Sequence, residues 1–191
     1  MDWPIDPERG LHLRPLEPGH IQAARELATR AFGSEEVGAQ VENTLRIYCE
    51  TGRSAVAWDR QVGVFVAASY YLLFLRQGGD ETAVGLTGLY RPAWAGKGAC
   101  WLGWFAIDPP YRNRGYGSRL LQATMALAAR RGARLLCIET SPALAPALKL
   151  YARLGFRERG RVPDYWGSGD DLLILHRPLG DIPTSEVPDG L

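Results

Sequence analysis

Arg112-Asn113-Arg114-Gly115-Tyr116-Gly117-Ser118 follows an apolar run that ends at Ile107 and opens a segment of strong helical periodicity. A strand, a glycine-rich turn and a helix start, in that order, make a pocket for phosphate. Gly115 and Gly117 have no side chain to hold a ligand off the backbone, and the first N–H groups of a helix lack intrahelical partners. Arg112 and Arg114 add fixed positive charge. Which phosphate-bearing molecule the turn suits decides the fold as well as the ligand.

Downstream of the turn, Leu120, Leu121, Thr124, Met125, Leu127 and Ala128 predict a helix that stops at Gly132. Leu135-Leu136-Cys137-Ile138 reads as a buried strand. Pro146 would clash inside a helix, so a helix is expected to begin there, run through Leu148, Tyr151 and Ala152, and stop at Gly155. Two last strands, 156–162 and 171–177, flank a loop holding Asp164, Tyr165, Trp166, Gly167 and Asp170. Upstream, 11–16 alternates as a half-buried strand, and two amphipathic helices follow, the first ending at Gly33 and the second starting at Ser34. Residues 54–107 are β-like, with candidate strands 54–58, 62–74, 83–91 and 100–107. The first two are either separate strands or one bent ribbon.

The chain has 191 residues, 46% of them hydrophobic, enough for one good core and a single domain over 1–179. Residues 180–191 carry two prolines and three acidic residues and are expected to form a flexible tail. A formal charge of +1 gives no broad surface for nucleic acid or anionic lipid, so a small-molecule or peptide partner is expected. Cys49, Cys100 and Cys137 are odd in number and lack metal-ligand spacing, and the start, Met1 to Asp6, has no signal-like pattern. These features predict a cytoplasmic chain. The apolar run 62–75 is shorter than the roughly 20 residues of a membrane span and predicts core strand.

Three phosphate pockets compete. A P-loop is excluded because no Gly-Lys-Ser/Thr follows the glycines. A dinucleotide turn has its first two glycines here and an acid at Glu139, but Leu120 stands at the third glycine position. Residues 108–114 also separate the glycines from the strand. The third pocket fits best: Arg112-x-x-Gly115-x-Gly117 after a strand and an Asp-Pro turn resembles the coenzyme A signature of the GCN5-related N-acetyltransferase (GNAT) superfamily. The segment from Trp101 to Pro109 is similar to that family's fourth strand. The one from Ala147 to Phe156 is similar to its fourth helix and following turn.

The resemblance implies an α/β (α+β) fold: a mixed, mostly antiparallel sheet of about seven strands, splayed between the fourth and fifth, with about four helices. It implies an N-acetyltransferase that moves an acetyl group from acetyl-CoA to a primary amine by direct attack in a ternary complex, without a metal. By the same resemblance, Arg112, Asn113, Arg114, Gly115, Tyr116, Gly117 and Ser118 would hold the pyrophosphate. The pantetheine arm would lie along Phe105, Ala106 and Ile107, on backbone groups freed by the splay. Glu139 is the candidate base and Tyr151 the candidate acid, twelve positions apart, like the Glu and Tyr of bacterial enzymes that acetylate ribosomal-protein N-termini. Leu144 stands where those relatives usually carry Asn.

The amine acceptor is left open as small molecule or peptide, and a homodimer is compatible with the resemblance. Two other readings predict different behaviour. A non-catalytic acyl-CoA-binding domain would bind coenzyme without consuming thioester, and a dinucleotide-dependent enzyme would bind NAD. Trp94, Trp101, Trp104, Tyr90, Tyr165 and Trp166 line either an acceptor cleft or the core.

Overall fold

Runs rich in aromatic and β-branched residues, punctuated by glycine turns, pair into a single mixed sheet in the computed structural model. The structure describes residues 2–51, 57–59, 63–165, 167, 169–184 and 187–188. The strands are β1 (Trp3–Asp6), β2 (Leu11–Pro15), β3 (Ala57–Asp59), β4 (Gly63–Gln77), β5 (Asp80–Pro92), β6 (Ala99–Leu102), β7 (Ala106–Ile107), β8 (Leu135–Thr140), β9 (Arg157–Val162) and β10 (Leu172–Pro178). Helices α1 (Ile21–Phe32) and α2 (Glu35–Thr51) precede β3. Helices α3 (Tyr116–Arg130) and α4 (Ala145–Arg153) flank β8.

The sheet order is β1-β2-β4-β5-β6-β8-β10-β9, with β3 beside β4 and β7 beside β5. Neighbours are antiparallel except β6 and β8. Ten strands stand where about seven were expected. The two upstream candidates are separate strands, β1 adds an edge, and 100–107 breaks into β6 and β7 around 103–105. Each face of the sheet carries a helix pair. Ala24, Leu27, Val41 and Leu45 of α1 and α2 pack with Leu72, Leu86, Trp101 and Cys137. Leu120, Leu121, Met125 and Tyr151 of α3 and α4 pack with Leu73, Leu136, Ile138 and Leu173.

Packing is tight beside the break between β6 and β7. Tyr70 lies over Gly88, its cross-strand partner, and its ring also borders Gly103. A Cβ at Gly88 would sit 2.3 Å from that ring, which is only 3% exposed and cannot move aside. Gly88→Ala is therefore expected to cost about 1–3 kcal/mol. Thermal unfolding would read this as a drop of several degrees.

Among the described residues after Gly180, Ile182 and Val187 pack on the α3–α4 core and Val187 is buried. Apolar side chains too sparse to predict structure still find a hydrophobic seat. No helix among the described residues is long and apolar enough to cross a membrane.

Candidate active site

The sheet opens where β6 and β8 part. Their pairing runs Ala99 with Leu135, Cys100 with Leu136 and Trp101 with Cys137, and ends there. Beyond that rung β7 pairs only with β5, while Glu139 and Thr140 of β8 pair only with β10. One edge of 105–107 and one edge of 138–140 therefore face each other unpaired across a wedge. Apart from the Ile107 carbonyl, which accepts from Arg112, their backbone groups are unpaired among the described residues and open to a ligand. Two buried side-chain polar atoms that lack a hydrogen-bond partner among the described residues, Trp101 Nε1 and Thr140 Oγ1, belong to the strands bordering this wedge.

The glycine turn closes one end. Gly115 caps α3 at φ 82°, a left-handed conformation that requires glycine, and Asn113 holds φ 60°, which a short polar side chain tolerates. No side chain caps the α3 N-terminus, so its first N–H groups stay free for an anion. Gly117 is different: a Cβ there would meet Leu150 at 3.5 Å and Ile107 at 3.6 Å, ordinary contact distances. Nothing in the fold demands glycine at 117. A ligand approaching the backbone would.

The arginines of the turn are used otherwise than as free charges. Arg112 donates from Nε to the Ile107 carbonyl at 3.0 Å and from Nη2 to the Ala31 carbonyl at 2.6 Å, tying the turn to the end of α1. Arg114 donates to the Pro110 carbonyl at 3.1 Å and lies over the Tyr111 ring, and Arg9 donates to the Arg114 carbonyl at 3.0 Å. Beside them Arg30 forms a two-pronged ion pair with buried Asp108, at 3.1 and 2.8 Å. These groups hold the turn rigid with its N–H groups outward. Arg9 and Arg30 have no local signature in sequence, since their partners Arg114 and Asp108 lie far along the chain.

Glu139 and Tyr151 approach the wedge from opposite faces. Side chains alternate along β8, so Glu139 shares the face of Cys137 on the α1–α2 side, whereas Tyr151 belongs to the α3–α4 core. Tyr151 is 5% exposed, with its ring 6.3 Å from Phe105 and 6.0 Å from Phe156. Burial alone pushes its phenol well above the ordinary range, so it is a neutral hydrogen-bond donor at every physiological pH. Glu139 is accessible at the mouth, yet desolvation raises its pKa, with the Trp101 indole N–H acting in the opposite direction. A carboxylate with a raised pKa and a neutral phenol thus stand on either side of the opening.

The sequence model of the family described as Acetyltransferase (GNAT) family matches residues 23–156. The chain belongs to this family. It is similar to an N-alpha-acetyltransferase of Sulfurisphaera tokodaii, 35% identical over 75 residues, which are 39% of this chain and 45% of the relative. It is also similar to the ribosomal protein bS18-alanine N-acetyltransferase of Escherichia coli K12, 32% identical over 77 residues, 39% of this chain and 52% of the relative. The matched segments span about half the length of these curated relatives. Among solved structures, a GNAT-family protein from Desulfovibrio desulfuricans shares the fold at a TM-score of 0.73 and 20% identity, covering 88% of this chain and 99% of that one.

The aromatic and acidic residues that the sequence analysis singled out are spread over core and surface. Trp101 and Tyr90 are buried, Trp104 meets Phe32 edge-on at 6.0 Å, Trp94 and Tyr165 are exposed, and Trp166 lies outside the described residues. Asp164 and Asp171 accept backbone N–H bonds within their own loop, and Arg161 pairs with Glu158 and Asp171. Asp2, His12 and Glu81 bring ligand atoms within 4.8 Å of one another. Arg14 and Arg76 already bridge that cluster, and the Arg14 guanidinium holds the Asp2 carboxyl down at about 2.

Proposed function

We propose that the chain transfers an acetyl group from acetyl-CoA to a primary amine, and that the acceptor is the α-amine of a peptide or protein N-terminus. The observation that carries this reading is the wedge itself: an unpaired strand edge beside free helix N–H groups, with Glu139 and Tyr151 on its two sides. The names of the relatives from Sulfurisphaera tokodaii and Escherichia coli support the choice of an α-amine. An α-amine near pKa roughly 8 is also far easier to deprotonate than a lysine near roughly 10.4.

The residues divide the work. Backbone N–H groups from Arg114 to Ser118 hold the pyrophosphate, with Gly117 leaving the room. The open edge at 105–107 orients the pantetheine arm and offers an N–H to the thioester oxyanion. The bound coenzyme supplies the activated acetyl group. Glu139 removes a proton from the attacking amine on the α1–α2 side. Tyr151 donates a hydrogen bond to the departing sulfur on the α3–α4 side. A phenol already near roughly 10 and pushed higher by burial stays above a thiol near roughly 8.5, so Tyr151 stabilises the thiolate without giving up its proton.

Thiol release from acetyl-CoA tests the reading. A peptide with a free N-terminus should accelerate it, and the same peptide with a blocked N-terminus and an internal lysine should not. Binding of acetyl-CoA with no turnover on any peptide, polyamine, aminoglycoside or amino acid would instead identify a non-catalytic binding domain.

The pH profile follows from Glu139. The base works deprotonated, and desolvation raises its pKa, so protonation on lowering the pH begins above the ordinary glutamate range near roughly 4.3. The acidic limb of kcat/KM should lie correspondingly high. It should disappear in Glu139→Gln, which leaves every other titrating group in place.

A further inference from the structure

Trp101 occupies the last paired rung before the sheet opens, opposite Cys137. Glu139 lies two residues beyond Cys137, on the same face. The Trp101 ring is 7% exposed, and its indole N–H is buried without a hydrogen-bond partner among the described residues. Trp94 packs edge-on against it at 5.0 Å, and Cys137 and Tyr90 share its core, so the ring has little freedom to turn its N–H elsewhere. An orphaned buried donor is costly, and its persistence calls for an acceptor that is engaged during function.

We propose that Trp101 is a positioning residue for Glu139, its buried indole N–H holding the carboxylate charged and turned toward the amine. The inference rests on the reading of Glu139 as the base. Trp101 touches neither substrate nor coenzyme and acts through that carboxylate.

The opposing effects on Glu139 agree: desolvation favours the neutral acid, and the indole N–H favours the anion. The strands beside β8 contribute few competitors. Burial pushes the thiols of Cys137 and Cys100 up to about 12, which keeps both neutral. His176 on β10, paired with Cys137, has its pKa lowered by burial and then by Arg159 of the adjoining β9.

Trp101→Phe keeps the ring and removes the N–H. It should lower kcat about tenfold, leave the acetyl-CoA Kd unchanged, and move the acidic limb of kcat/KM to higher pH. In a Glu139→Gln background the same change should cost nothing further, because the two residues act as one unit. The proposal is overturned if the limb stays in place or the two losses multiply. A merely structural tryptophan would lower the melting temperature and alter KM without moving the limb.

A second measurement needs no Trp101 variant. The indole 15N–1H resonance of Trp101 should titrate with the midpoint of the acidic limb in the wild-type chain and lose that titration in Glu139→Gln. A resonance indifferent to pH overturns the contact. Full activity in Glu139→Gln would overturn the base reading itself, a failure distinct from an unmoved limb in Trp101→Phe.

Discussion

Gly117→Glu is expected to weaken acetyl-CoA binding by about 100-fold or more while leaving the melting temperature unchanged within a few degrees. The two halves of that expectation have separate causes. The Cβ is sterically acceptable, with Leu150 and Ile107 at 3.5 and 3.6 Å, and an acidic residue in the first turn of α3 interacts favourably with the helix dipole. The carboxylate, however, would project where the pyrophosphate must meet the free N–H groups, setting like charges together at close range. Calorimetric titration with acetyl-CoA reads the first effect and thermal unfolding the second.

Gly115→Ala supplies the contrast. At φ 82° an alanine is strained by about 1–2 kcal/mol, so that variant should lose melting temperature first. Undiminished acetyl-CoA affinity in Gly117→Glu would remove the turn from the donor site.

Tyr151→Phe should lower kcat about 10²–10³-fold, the range for loss of a single donor to developing negative charge. The ring contacts with Phe105 and Phe156 survive the change, so the acetyl-CoA Kd should stay within about threefold and stability should be largely kept. The loss should be greatest in single-turnover measurements, where product release cannot mask the chemical step. Retention of full turnover under those conditions would show that the thiolate leaves without Tyr151. A loss that appears in Kd and melting temperature, with kcat unchanged, would assign the hydroxyl to packing alone.

Much of the architecture was legible because it depends on neighbours in the chain. Gly33, Gly132 and Gly155 end or follow α1, α3 and α4 at φ 68°, 81° and 84°, conformations that only glycine adopts cheaply. Pro146 sits in the first turn of α4, where its missing N–H costs nothing. Ser34 bonds the Val37 N–H and starts α2. By contrast, β1 was not legible, because Pro4 and Asp6 lower its strand propensity and pairing with β2 at the sheet edge overrides that tendency. The same holds for Ile182 and Val187, whose burial depends on a core assembled elsewhere.

At the candidate site the division is similar. The glycine turn, Glu139 and Tyr151 could be placed on a strand end and a helix from spacing alone, because periodicity and turn chemistry are local properties. Only the assembled sheet put Glu139 and Tyr151 on opposite faces of one opening, turned Arg112 inward onto Ile107 and Ala31, and left the Trp101 N–H without a partner. Those outcomes depend on where β6 stops pairing with β8 and on contacts between residues as far apart as Ala31 and Arg112. Such contacts are selected by packing, register and charge in three dimensions. No pattern within a stretch of chain encodes them.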